Sequence, residues 1–179
     1  YPVTNEDGTI PRDLDVYKRA NYADITATNP YYNAMLPSEN RSKILSVTNN
    51  TNLNWYIIDN LRWTASMSLN TTNTDNMNFT DPAHTKYASS DYTKQGEYSS
   101  SKSRSWRYTM NTGIAYALSL NDHNLTFNGR AEIRSTSSNT ESFVATGFPK
   151  GVGAIPSFAY SFKENSTPGY SESISRGVS

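Results

Sequence analysis

The chain has 179 residues, no Cys, and 16 acidic residues against 16 basic ones, so its formal net charge is zero. That length suits one domain, and balanced charge without a basic run interleaved with aromatics argues against a nucleic-acid partner. Without Cys there is no disulfide framework or thiolate metal site, and no stretch approaches the ~18 apolar residues of a transmembrane helix.

A mean hydropathy of -0.70 leaves a membrane barrel open, because barrel strands place apolar residues at alternate positions and show no hydropathy peak. The chain opens at Tyr1 with no initiator Met, charged leader or apolar core segment, as expected for a piece of a longer polypeptide.

Residues 1–42 carry four Pro and many turn formers with little periodicity, which predicts loop with one short helical turn around Asp13 to Ala20. From Lys43 the pattern becomes two-residue alternation. Leu45, Val47, Leu53, Trp55 and Ile57 share odd positions, with Ser46, Thr48, Asn50, Asn52 and Asn54 between them; Asn49 and Thr51 interrupt the apolar side. "IDN" (Ile58 to Asn60) then serves as a tight turn into "LRWTASMSLNTT". There Leu61, Trp63, Ala65, Met67 and Leu69 alternate with Arg62, Thr64, Ser66, Ser68 and Asn70. Residues 43–72 are thus predicted to be one long β-hairpin.

Residues 73–103 are expected to be a long loop. Residues 104–137 repeat the hairpin: Trp106, Tyr108, Met110, Ile114, Tyr116, Leu118 and Leu120 on even positions, a turn at "NDHN" (Asn121 to Asn124), then Leu125, Phe127, Gly129, Ala131 and Ile133 on odd ones. Residues 138–179 are again expected to be loop. Soluble strands most often run about 5 or 6 residues, whereas a tilted strand crossing a bilayer needs roughly 9 to 11, and these runs are of the longer kind.

Turn lengths point the same way. Both hairpins close tightly at one end and open into long segments at the other, as outer-membrane barrels do with their short periplasmic turns and long extracellular loops. The loops at 1–42, 73–103 and 138–179 would then be extracellular. Trp55, Trp63 and Tyr116 near the tight turns, and Trp106 and Tyr108 near the long loops, are placed as two membrane girdles would be. On the polar parity, Arg62, Arg130, Glu132 and Arg134 sit mid-strand, where a barrel would hold them in a wet lumen or against a plug. Four strands leave open edges, and single-chain barrels start at about eight, so the remainder must come from the same polypeptide or from nicked chains.

At "NPYYNAML", "NNTNLNWYIIDNLRWTASMSLNTT", "FTDPAHTKY", "GEYSSSKSRSW" and "LNDHNLTFNGRAE" the chain resembles the middle of the barrel of a SusC/RagA-type TonB-dependent transporter of the Bacteroidetes outer membrane. The resemblance spans nearly all of it. It implies a 22-stranded barrel filled by a plug, energy coupling to TonB through a region absent here, a SusD-like lid lipoprotein, and oligosaccharide or oligopeptide cargo.

No catalytic motif emerges, and the chain reads as no enzyme. There is no G-x-S-x-G and no H-E-x-x-H; His84 and His123 stand far apart, "NEDGT" lacks the acidic alternation of a calcium loop, and "GVG" at Gly151 to Gly153 does not lead from strand to helix. No metal or cofactor is therefore expected. Tyr87, Tyr92, Tyr98, Phe148 and Tyr160 in the loops suit stacking on cargo or on the lid. The alternative reading is a secreted β-sandwich that binds carbohydrate or acts as an adhesin.

Overall fold

The computed structural model describes residues 4–20, 22 and 24–179. Its strands are β1 (Asp13–Tyr17), β2 (Ile25–Thr28), β3 (Glu39–Ile58), β4 (Leu61–Thr80), β5 (Glu97–Leu120), β6 (His123–Thr146), β7 (Ser161–Phe162) and β8 (Gly169–Val178), with one short helix, α1 (Pro30–Met35). β1 and β2 form a two-stranded sheet; β3 to β7 lie side by side in chain order, and β8 pairs with β6. The fold is all-β, with long antiparallel strands in two hairpins, as the alternation predicts. The hairpins turn through Asp59 and Asn60, and through Asn121 and Asp122. Asn121 takes a left-handed φ of 48°, which an Asn side chain tolerates better than most.

Three stretches differ from their expected form. Asp13–Tyr17 is a strand, not a helical turn, because "DLDVY" finds a β-branched partner in "ITAT" and a helix this short has little stability of its own; Asn21 and Ala23 lie outside the described residues. The long strands overrun their expected bounds: residues 73–80, 97–103 and 138–146 are all strand. Finally β8 lies in the expected last loop, and Glu132 and Ser179 exchange both backbone bonds, at 2.8 and 3.1 Å, as a hydrogen-bonded antiparallel pair does. Backbone pairing carries the strands through polar runs such as Asn70 to Asn76 and Ser99 to Ser103, whose side chains carry no contrast.

The chain divides into two compact units. The first comprises Tyr1–Arg41, Asn76–Ser100 and Ser142–Pro168. Its core is Met77, Phe79, Ala145 and Phe148, with Tyr98, Phe143, Ala154 and Ala159 packed against it. Phe79 meets Phe148 edge to face, 5.3 Å between ring centroids. Such a pair adds about 0.5–1.5 kcal/mol beyond its buried area.

The second unit comprises Ser42–Asp75, Ser101–Glu141 and Gly169–Ser179. Its apolar parity stays open: Ile114 is 48% and Phe127 59% exposed, and among the described residues no fully buried apolar side chain belongs to this unit. Trp63 is half-buried, Met67 exposed and Leu118 half-buried, without a second layer of buried apolar side chains over them. The polar parities of neighbouring strands share a face. Asn70 Nδ2 donates to Thr48 Oγ1 at 2.7 Å, Ser46 Oγ lies 3.1 Å from Thr72 Oγ1, and Thr140 Oγ1 donates to Ser103 Oγ at 3.1 Å. A slip of one residue would reverse every one of these pairings.

Candidate functional site

In the second unit, β6 carries Arg130, Glu132 and Arg134 at alternate positions, so all three project from one face. Glu132 Oε1 accepts from Arg134 Nη2 at 2.7 Å, and its other oxygen lies 3.7 Å from Arg130 Nη2. Arg130 also donates to Asn111 Oδ1 at 3.1 Å, across to β5. One carboxylate thus lies between two guanidinium groups. Arg62 is exposed on β4 in the same unit. Beside Arg130 lies a shallow cleft of about 340 Å³, lined by Asn52, Asn54, Thr64, Ser66 and Asn111. Gly113 opens it: a Cβ there would come within 2.9 Å of Thr64 Oγ1.

The girdle candidates fall into two contacts. Trp55 and Trp63 meet edge to face at 6.3 Å, and the Trp63 indole donates to Thr112 Oγ1 at 2.8 Å. Trp106 and Tyr108 stack at 5.6 Å. Tyr116 is half-buried, ten residues along β5 from Trp106.

The first unit gathers the loop candidates. Its framework is a clamp between two motifs quoted above. Asn29 caps α1 by accepting from Tyr31 N at 3.0 Å, with Pro30 at the first helical position, where a missing N–H costs nothing. Asn33 of that helix grips Thr85 of "DPAHTKY", and Asp81 of the same motif turns back to accept from Ala83 N at 2.7 Å. His84 caps the turn at Thr85–Tyr87, its Nδ1 accepting from Lys86 N at 3.1 Å.

Of the five loop aromatics, Tyr87 and Phe148 are buried and Tyr98 stacks on Phe143 at 5.8 Å. Burial, and then the charge of Glu97, push the Tyr87 phenol above the ordinary tyrosine range. Tyr92 and Tyr160 stay exposed and meet edge to face at 6.4 Å. The sequence did not single out Lys94, Glu97 or Lys163. Lys163 Nζ reaches Glu97 Oε2 at 2.7 Å, a contact 66 residues apart in sequence, for which no local pattern gives a sign. These two line a cleft of about 580 Å³ with Lys94, Tyr160 and Glu164. A groove of about 630 Å³, lined by Phe143, Ala145, Pro156, Ala159, Phe162 and Pro168, shares Tyr160, Ser161 and Phe162 with that cleft. Among the described residues no group of three or more His, Cys, Asp or Glu could hold a metal ion.

The strand order and lengths have known counterparts. The chain aligns with the RagAB peptide importer in its 'closed-closed' state at a TM-score of 0.66 and 18% identity, over 97% of this chain and 18% of that one. With the 'open-open' state the values are 0.64 and 18%, over 94% and 18%. A further structure of the RagAB peptide transporter gives 0.68 and 19%, over 94% and 18%. In fold, the chain is similar to part of the RagAB importer. It spans about 18% of the length of the RagAB chains it matches, so the likeness concerns this segment alone. No protein-family model matches the chain, and no curated protein matches it.

Proposed function

We propose that the chain is a section of the wall of an outer-membrane transport barrel, with the second unit's strands crossing the lipid. The apolar parity of these strands, exposed or half-buried with no buried apolar layer of the unit's own among the described residues, carries this reading. A soluble sandwich would cover that parity with a second sheet. The aromatic contacts agree in spacing. Tyr116 and Trp106 are ten residues apart on β5. At ~3.3 Å per residue and a tilt of ~40–45° that separates two belts by about 23–25 Å, the height of a barrel's apolar band.

In this reading Arg62, Arg130, Glu132 and Arg134 face the lumen or the plug, and the first unit's segments at 76–100 and 142–168 belong to the outer mouth. The 22-stranded closure, the plug, TonB coupling and a SusD-like lid lipoprotein come from the remainder of the assembly. The cargo is an oligopeptide, in keeping with the peptide importer that the fold matches; an oligosaccharide is the competing cargo.

The test uses the full polypeptide that contains this chain. Expressed in a bacterial outer membrane, it should partition with detergent and migrate faster unheated than boiled on a gel, the mark of an intact barrel. Recovery as a monodisperse, detergent-free soluble protein would overturn the proposal.

A further inference from the structure

On β5 the parity of Trp106 continues past the aromatic pair into charge. Arg104 and Lys102 lie two and four residues beyond Trp106, on the side away from Tyr116. At ~3.3 Å per residue and a tilt of ~40–45° they stand about 5 and 10 Å past the Trp106 level. A bilayer's two polar layers together add ~10–15 Å to its ~30 Å core, so each is about 5–8 Å deep. On a strand that crosses lipid, both cations therefore come to headgroup depth.

Three strands build a site there. A cleft of about 410 Å³ is lined by Lys43 and Leu45 of β3, Asn73 and Asp75 of β4, and Lys102 and Arg104 of β5. These residues share the face of Trp55, Trp63 and Thr112, which the Trp55–Trp63 contact and the Trp63 bond to Thr112 join across the same strands. Among the described residues Lys43, Lys102 and Arg104 enter no ion pair, whereas Arg41, Arg130, Arg134 and Lys163 each have a carboxylate at 2.7–3.7 Å. Two carboxylates stand near. Asp75 lines the cleft itself, and Glu141 takes the same face on β6, since its neighbour Thr140 bonds Ser103 on the other one. Positive charge stays in excess, three groups against two.

We propose that Lys43, Lys102 and Arg104 form a binding site for the phosphate group of a membrane lipid in the outer leaflet, with its acyl chains beside Leu45 and Trp106. A guanidinium meets a phosphate through paired N–H bonds, and lysine stems lie along apolar surface while their ammonium groups reach the headgroups. Lys102 and Arg104 sit on β5, which has β4 and β6 on its two sides, so two of the three cations belong to a strand with both neighbours in place. The assignment rests on the barrel reading above but is not required by it, because that reading needs only the apolar side chains.

The test uses the full polypeptide as a heat-modifiable barrel in detergent; loss of heat modifiability would sink the barrel reading and is seen separately. Native mass spectrometry measures binding of dioleoyl phosphatidic acid, of dioleoylglycerol, which lacks only the phosphate, and of inorganic phosphate. Phosphatidic acid should bind more tightly than dioleoylglycerol by roughly tenfold or more, and inorganic phosphate in large excess should not displace it. Lys102→Gln combined with Arg104→Gln should weaken phosphatidic acid by roughly tenfold or more in a barrel that is still heat-modifiable. Asp75→Asn, which removes the cleft's own carboxylate, should tighten it. Equal binding of the two lipids, displacement by inorganic phosphate, an unaffected double variant, or weaker binding to Asp75→Asn would each overturn the proposal.

Discussion

Asn33 holds Thr85 with both ends of its amide: Nδ2 donates to Thr85 Oγ1 at 2.7 Å while Oδ1 accepts from Thr85 N at 3.0 Å, joining segments 52 residues apart. Both bonds are part-buried, so truncation leaves two polar groups of Thr85 without partners. Asn33→Ala should cost about 1–3 kcal/mol locally. Faster hydrogen exchange at the Thr85 amide, with the β5 amides of the second unit unchanged, is the expected result; unchanged exchange at Thr85 would show the clamp to be idle.

Gly147 and Gly151 separate backbone strain from packing. Both take a left-handed φ, 78° and 79°, but a Cβ on Gly147 would lie 2.5 Å from Thr93 O and 2.6 Å from Tyr160 Cβ, whereas nothing lies within 4 Å at Gly151. Gly151→Ala carries only the conformational cost, about 1–2 kcal/mol. Gly147→Ala must also displace backbone at residue 93, and should be more destabilising by about 2 kcal/mol or more. Limited proteolysis of the two variants in parallel reads the difference, and equal protection would show that the 92–96 loop moves aside freely.

The proposal that the apolar parity faces lipid predicts an asymmetry between two positions on one strand. Ile114→Arg places a cation on the apolar parity of β5 at a cost of about 2–4 kcal/mol if that site is mid-bilayer, while Thr109→Arg on the polar parity should cost about 1 kcal/mol or less. Denaturant midpoints of the full barrel refolded into lipid vesicles measure both. Equal shifts would contradict the assignment of the two parities to lipid and lumen.

His84 supplies a pH dependence with a definite sign. Burial first, and then the Lys86 charge, hold its imidazole below the ordinary value of 6.5, against a weaker upward pull from Asp81. Protonation would also remove the acceptor that Nδ1 offers Lys86 N. Because the folded value lies below the unfolded one, the unfolded chain takes up the proton first as pH falls. The contribution is whole above about 6.5, is lost as pH drops from there through the folded value, and is constant below it. A His84 ring titration by NMR should have its midpoint below 6.5, and Lys86 amide exchange should quicken across the same range. His84→Asn, which retains an acceptor, should abolish that pH step.

Side-chain alternation by itself determined the all-β class, the two hairpins, their turns within residues 58–60 and 121–124, which the structure narrows to 59–60 and 121–122, and which parity of each strand is apolar. These follow from local geometry: a period of two is written in the chain and needs no partner to be read. Only the tertiary structure decided how far the strands run and that β8 exists. "EYSSSKS" and "GYSESISRGV" are strands because β4 or β6 offers them backbone partners, not because their side chains demand it. The candidate site divides in the same way. Arg130, Glu132 and Arg134 were legible because spacing along one strand puts them together, and their ion pairs confirm only that proximity. Tyr87, Tyr98 and Phe148 looked like Tyr92 and Tyr160 in the sequence, yet burial takes the first three into packing and leaves the last two in the open. The Glu97–Lys163 pair and the pairing of β7 with β6 depend on residues far apart in the chain meeting in the folded protein, a relation of register that only folding fixes.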